Sequence, residues 1–138
     1  MNDLTRFLEA QNQLYDTALT EIKRGRKQTH WMWFIFPQLK GLGSSPTAQF
    51  YGMATIDQAA AYFAHPVLGA RLVEITHALL DVQGKSAAEI MGSPDDAKLR
   101  SCMTLFDAVA PDSVFRSVID RYFNGIPDAR TMAMLRNA

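Results

Sequence analysis

From Lys23 to Ile56 the chain carries no acidic residue, yet the stretch holds Lys23-Arg24-Gly25-Arg26-Lys27 and then His30-Trp31-Met32-Trp33. Basic groups interleaved with aromatic rings suit phosphates and flat rings, which they hold by charge-assisted hydrogen bonds and by stacking. His30, Trp31 and Trp33 are therefore candidate contacts. The same residues also admit a structural reading, in which the basic cluster is a solvated helix end and Met32, Phe34 and Phe36 fill a core. Both readings stay open for the tryptophans, because a buried indole N–H needs a partner wherever it lies.

Two further segments carry candidate chemistry. Gly41-Leu42-Gly43-Ser44-Ser45 offers backbone N–H groups and hydroxyls to an anion ahead of a helix starting at Pro46. It lacks the spacing and the Lys-Ser/Thr ending of a P-loop, and it serves equally as an interhelical turn. In Ser93-Pro94-Asp95-Asp96-Ala97-Lys98-Leu99-Arg100-Ser101, two carboxylates, two cations and two hydroxyls fall within little more than two turns. Paired carboxylates divide acid and base roles when burial separates their pKa values, but acids at a helix start also answer the helix dipole. Together these segments predict one pocket for a polar, phosphate- or nucleotide-bearing small molecule. Its expected contacts are Gln11 and Tyr15 of the first helix, Trp31, Trp33, Lys40, Ser44, Lys98 and Arg100. If the pocket is catalytic, His30 is the expected general acid or base, with Asp95 or Asp96 as its electrostatic partner. The competing class is a protein-interaction module, with the tryptophans as a partner-facing patch and seven Met as an adaptable surface.

Other reactive side chains read as structural. Cys102 is spaced with Leu99 and Phe106 as a small core hydrophobe. His65 precedes Pro66 as a turn residue, and His77 lies beside an apolar stripe without an assignable partner. One Cys and three His leave too few soft ligands for a structural zinc site and no disulfide within one chain, so no metal and no cofactor are expected.

Composition bounds these possibilities. A chain of 138 residues with 48% hydrophobic and 20% charged side chains fits one domain, residues 1–138, and excludes general disorder. Fourteen basic and fourteen acidic residues create no global field to gather nucleic acid or an anionic membrane. The start, Met1-Asn2-Asp3-Leu4-Thr5-Arg6, lacks a basic region followed by an apolar core, and the longest apolar run, Trp31 to Phe36, is far short of a membrane span. The expected setting is cytoplasmic and reducing.

The elements that must position these residues are helices. Leu4, Phe7, Leu8, Leu14, Tyr15, Ala18, Leu19 and Ile22 recur at threes and fours, predicting a helix from about 4 to 24 closed by Gly25. The segment His30 to Phe36 is apolar all round, so periodicity does not separate strand from helix, and Pro37 ends it either way. Ser45-Pro46 starts a short helix to Tyr51. Thr55-Ile56-Asp57-Gln58 matches a capping box for a helix that runs to His65-Pro66. A helix from 66 to 81 follows, with Leu68, Leu72, Ile75, Thr76, Leu79 and Leu80 as its dry stripe. Ser86 to Glu89 caps a short helix ending at Gly92, and Ser93-Pro94 opens one that buries Leu99, Cys102, Met103 and Phe106. Pro111-Asp112 and Pro127-Asp128 begin the last two, the final one holding Met132 and Leu135. With no sustained alternation and no hairpin signal, the expectation is an all-α domain of seven or eight helices.

Three motifs also carry a family resemblance: His30 to Gln38, His65-Pro66-Val67-Leu68-Gly69, and Lys98 to Phe106. With them the chain resembles, from about Leu4 to Leu135, a bacterial family of unknown function whose members are often mislabelled calpastatin. The resemblance implies an all-α fold and brings no activity, cofactor or catalytic residue. Nothing in the chain looks like a disordered protease-inhibitor repeat. Phe7-Leu8-Glu9-Ala10-Gln11 in turn looks like the Tyr-Phe-Gln-Ala-Gln helix of the NADAR proteins, helical N-glycosidases acting on ADP-ribose-like and riboflavin-pathway compounds. Ala60 to Thr76 and Lys98 to Phe106 look like later helices of theirs. The acidic residue that those proteins carry before their aromatic pair falls here on Thr5, and their Trp-Gly motif falls near Met91-Gly92. The glycosidase activity therefore does not carry over, and the resemblance implies a related pocket alone.

Overall fold

The stripe of the first segment folds as α1 (Thr5–Lys23), which buries Phe7, Gln11, Tyr15, Ala18, Glu21 and Ile22 along one face. The computed structural model describes residues 3–137. After α1 the chain turns through Gly25, whose φ of 78° is a left-handed conformation that glycine adopts without steric cost. The ambiguous apolar run forms a single helical turn, α2 (Met32–Ile35), with Met32, Phe34 and Ile35 buried. This turn is the addition that makes nine helices among the described residues, where seven or eight were expected.

The caps written into the sequence start the following elements. Ser45 accepts from the Ala48 N–H at 3.1 Å to open α3 (Pro46–Tyr51). Thr55 accepts from the Gln58 N–H at the start of α4 (Ile56–Ala64), while the Gln58 side-chain oxygen takes the N–H of Ala54 instead of that of Thr55. Then come α5 (Leu68–Leu80) and α6 (Ala87–Met91), whose capping box between Ser86 and Glu89 is complete in both directions. They are followed by α7 (Asp95–Val109), α8 (Val114–Tyr122) and α9 (Ala129–Arg136). In α9, which holds Met132 and Leu135 as expected, the inward residue is Thr131, while Met132 faces solvent and Leu135 is partly covered. The Asp128 carboxylate caps the helix, accepting from the backbone N–H and the hydroxyl of Thr131 at 2.8 and 2.6 Å, while the Asp128 N–H donates to the Thr104 hydroxyl of α7 at 2.8 Å.

Helix α7 is the hub, packed against α4, α6, α8 and α9, while α5 joins α1, α4 and α8. A chain of rings runs through the core from Phe7 to Tyr62, Phe106 and Phe115, with centroids 5.2, 5.6 and 5.7 Å apart. Leu99, Cys102, Met103 and Phe106 are all buried in α7 as their spacing predicts. Burial also pushes the Cys102 thiol well above its ordinary pKa, which suits a core role. Among the described residues there is no strand. One isolated parallel bridge joins Leu39 and Met53, through Lys40 N–H to Met53 C=O at 2.8 Å and Met53 N–H to Gln38 C=O at 2.9 Å. The crossing needs Gly52, since a Cβ there would sit 2.6 Å from the Lys40 Cα. It clips the loop after α2 to the end of α3. No described helix is long and apolar enough to cross a membrane.

Candidate functional site

The loop that delivers the aromatic segment is anchored by a carboxylate that hydropathy hides. Glu21 stands three residues after Ala18 and just before Ile22, so helical spacing alone puts it on the dry face of α1. There it accepts from the N–H of Gln28 and of Thr29, the Thr29 hydroxyl and the Trp31 indole N–H, at 2.8, 3.1, 2.8 and 2.9 Å. Burial raises its pKa, but these hydrogen bonds outweigh burial and hold the carboxyl below its ordinary value. Trp31 is in consequence fully buried, with its N–H satisfied inside the protein and Lys27 over its ring at 5.0 Å. The expectation of Trp31 as a ligand contact is corrected: it is a core residue.

Gln11 and Tyr15 are corrected in the same way. Gln11 is buried, and its side-chain nitrogen donates to the Phe34 carbonyl at 2.7 Å and the Tyr62 hydroxyl at 2.8 Å. Both N–H groups are thus spent on fixing α2 against α1 and α4. The Tyr15 hydroxyl bonds Glu74 and the Arg71 carbonyl, and burial followed by the Glu74 hydrogen bond pushes its pKa up. Arg100 donates to the Ile126 carbonyl at 2.8 Å and lies over the Phe123 ring, so it clamps the turn between α8 and α9. Lys40 and His30 are exposed, and neither lines the pocket described below. Asp95 is held by Lys27 at 3.0 Å and Lys98 at 3.6 Å, and Asp96, in the first turn of α7, accepts from the neighbouring Ala97 N–H at 2.9 Å. Among the described residues no hydrogen bond or ion pair joins either carboxylate to His30 as an acid–base partner.

What the fold does bring together is Trp33, Ser44 and Lys98. Trp33, on the outer side of α2, lines a narrow slot of about 10 Å³ walled by Met32, Phe36, Ala48 and Gly52. Gln38 and Lys98 line both this slot and a second cavity, a groove of about 440 Å³. Its walls are the loop Leu42-Gly43-Ser44, the first turns of α7 and the start of α9, where Arg130 stands. The Lys98 ammonium lies over the Trp33 ring, 5.4 Å from its centroid. Of the polar groups around the groove, Asp128 is committed to Thr131, and Ser101 donates to the Ala97 carbonyl at 3.2 Å. Among the described residues the side chains of Gln38, Ser44 and Arg130 make no hydrogen bond, and the buried Trp33 Nε1 has no partner either. The groove gathers two cations, a hydroxyl and an amide beside the single Asp128 carboxylate, a net positive lining that suits an oxyanion.

Gln38 and Arg130 were not legible as site residues. Gln38 sits in an irregular loop, and Arg130 reaches the groove only because α9 returns to α7. The tryptophan and methionine surface expected of an interaction module does not form. Trp31, Met32, Met53, Met91 and Met103 are buried, Met134 is partly buried, and Met132 alone of the described methionines is exposed.

The model of a family described as "Protein of unknown function (DUF1810)" matches residues 1–135. Among solved structures, the crystal structure of the conserved hypothetical protein Rv1873 from Mycobacterium tuberculosis is similar at 47% identity, covering 98% of this chain and 97% of that one, with a TM-score of 0.96. No curated protein matches the chain.

Proposed function

This chain belongs to the DUF1810 family of proteins of unknown function, and on that premise we propose that it binds a phosphate-bearing small molecule, a nucleotide or a sugar phosphate, in the groove between α7, α9 and the loop before α3. The observation that carries this reading is the grouping of Lys98, Arg130, Ser44 and Gln38 around one concavity. Its volume of about 440 Å³ falls within the range of small-molecule sites. Lys98 and Arg130 supply charge from two different helices, so the anion is gripped by a rigid frame. The apolar groove residues Leu42, Pro94 and Ala97 take the less polar part of the guest. The protein is read as a binder, with Trp33, Ser44 and Lys98 kept from the expected contacts and Gln38 and Arg130 added.

A thermal-shift panel of AMP, ADP, ADP-ribose, ribose 5-phosphate and inorganic pyrophosphate tests it. ADP-ribose is included because of the resemblance of Phe7 to Gln11 to the NADAR helix. A guest at a hundred times its dissociation constant stabilises by about 2.7 kcal/mol. The shift should shrink as salt screens the cations and vanish in Lys98→Gln/Arg130→Gln. A panel without any shift, or an undiminished shift in that double variant, refutes the groove.

A further inference from the structure

The slot that shares Gln38 and Lys98 with the groove holds a second unpaired group. The Trp33 Nε1 is buried and lacks an acceptor, whereas the other indole, that of Trp31, is satisfied by a carboxylate. A buried donor left unpaired costs free energy, so its acceptor comes from outside the chain, as a water or as an oxygen of a guest that displaces it. The walls are mostly apolar, Met32, Phe36, Ala48 and Gly52, with Tyr51 beside them. At the mouth stand Lys98 and Gln38.

The charge balance there identifies the kind of acceptor. Asp95 faces two lysines, Lys27 at 3.0 Å and Lys98 at 3.6 Å. The closer and more deeply buried Lys27 takes the larger share of the carboxylate. With Arg130 and the Asp128 carboxylate, which line the same groove as Lys98, three cations face two anions, so one positive charge is left over, and Lys98, above the Trp33 ring, is only partly neutralised. An acceptor that meets an N–H and a partly neutralised ammonium in a mostly apolar enclosure is bound best when it is itself negative, because the low local dielectric strengthens the attraction. At about 10 Å³ the slot is water-sized, too small for a whole phosphate group.

We propose that the slot seats one anionic oxygen of the bound ligand, held between the Trp33 indole N–H and the Lys98 ammonium, while the rest of the oxyanion stays in the groove. The inference rests on the groove reading and deepens it. Trp33 becomes the residue that selects a guest with a projecting terminal oxyanion, and Lys98 serves both cavities.

The two tryptophans make the test direct. In protein labelled with ¹⁵N at the indole nitrogens, the two Nε1–H resonances are assigned with Trp31→Phe and Trp33→Phe, and wild type is titrated with ADP and with inorganic pyrophosphate. The Trp33 signal should move downfield as its N–H gains an acceptor, with Trp31 unmoved, and Lys98→Gln should abolish the movement. Trp33→Phe should bind at least about tenfold more weakly, the loss expected of one charge-assisted hydrogen bond. If a probe binds, shown by its thermal shift, while the Trp33 resonance stays in place, the slot assignment is wrong and the groove survives. If neither probe binds and the wider panel is silent, the groove falls and the slot with it. The titration uses the wild-type chain, so a Trp33→Phe variant that fails to fold leaves the decision intact.

Discussion

Replacing Glu21 by alanine should be among the costliest single changes to a charged residue of this protein. Glu21 as a residue is 5% exposed, and its carboxylate accepts four hydrogen bonds from the loop that ends in Trp31. Removing it strands the Trp31 N–H in a fully buried position, which costs about 1 to 3 kcal/mol. The donors of Gln28 and Thr29 lie nearer the surface, where water replaces the carboxylate, and add about 1 kcal/mol together. The sum, about 2 to 4 kcal/mol, corresponds to a fall in Tm of roughly 10 °C for a chain of this size. Urea unfolding followed by far-UV circular dichroism measures the difference. A double-mutant cycle with Trp31→Phe isolates the shared bond, with an expected coupling of about 1 to 3 kcal/mol. The pH dependence has a definite sign. Because the folded carboxyl lies below its ordinary pKa, its stabilisation is fully present above the unfolded value of about 4.3 and is lost as pH falls through the folded value. Wild type should therefore lose its advantage over Glu21→Gln in acid and keep it at neutrality. A Glu21→Ala cost below about 0.5 kcal/mol, or a coupling near zero, would refute the anchoring argument.

Leu72→Ala should cost about 2 to 5 kcal/mol, since Leu72 is buried where α5 meets its neighbours, and chemical denaturation reads this directly. Cys102 should resist a thiol reagent in the native protein and react only on unfolding, while Cys102→Ser loses about 1 to 3 kcal/mol by burying a hydroxyl without a planned partner. Arg100→Ala should lower stability by about 1 kcal/mol through its lost bond to the Ile126 carbonyl and leave ADP binding unchanged in calorimetry, because it clamps a turn and does not face the guest.

The helical framework was legible in the chain because its signals are local. The period of α1 and α5, the caps at Ser45, Ser86 and Asp128 and the burial of Leu99, Cys102 and Phe106 each depend on residues within one or two turns, and each appears in the structure. The site was legible only as a neighbourhood of residue types. Trp33, Ser44 and Lys98 do converge, but Trp31, Gln11, Tyr15 and Arg100, drawn from the same segments, turn their polar atoms to Glu21, Phe34, Glu74 and Ile126. Local pattern does not decide between these outcomes. An indole N–H has the same need for an acceptor wherever it lies, and what distinguishes Trp31 from Trp33 is a carboxylate ten residues away that α1 carries to the first and not to the second. The groove likewise needs α9 folded back on α7 and the Leu39 to Met53 bridge pinning the loop over them. Sequence by itself determined which stretches are helical and which faces are dry. Only the tertiary structure decided which polar groups were left without partners, because hydrogen-bond satisfaction is a property of the whole packed chain.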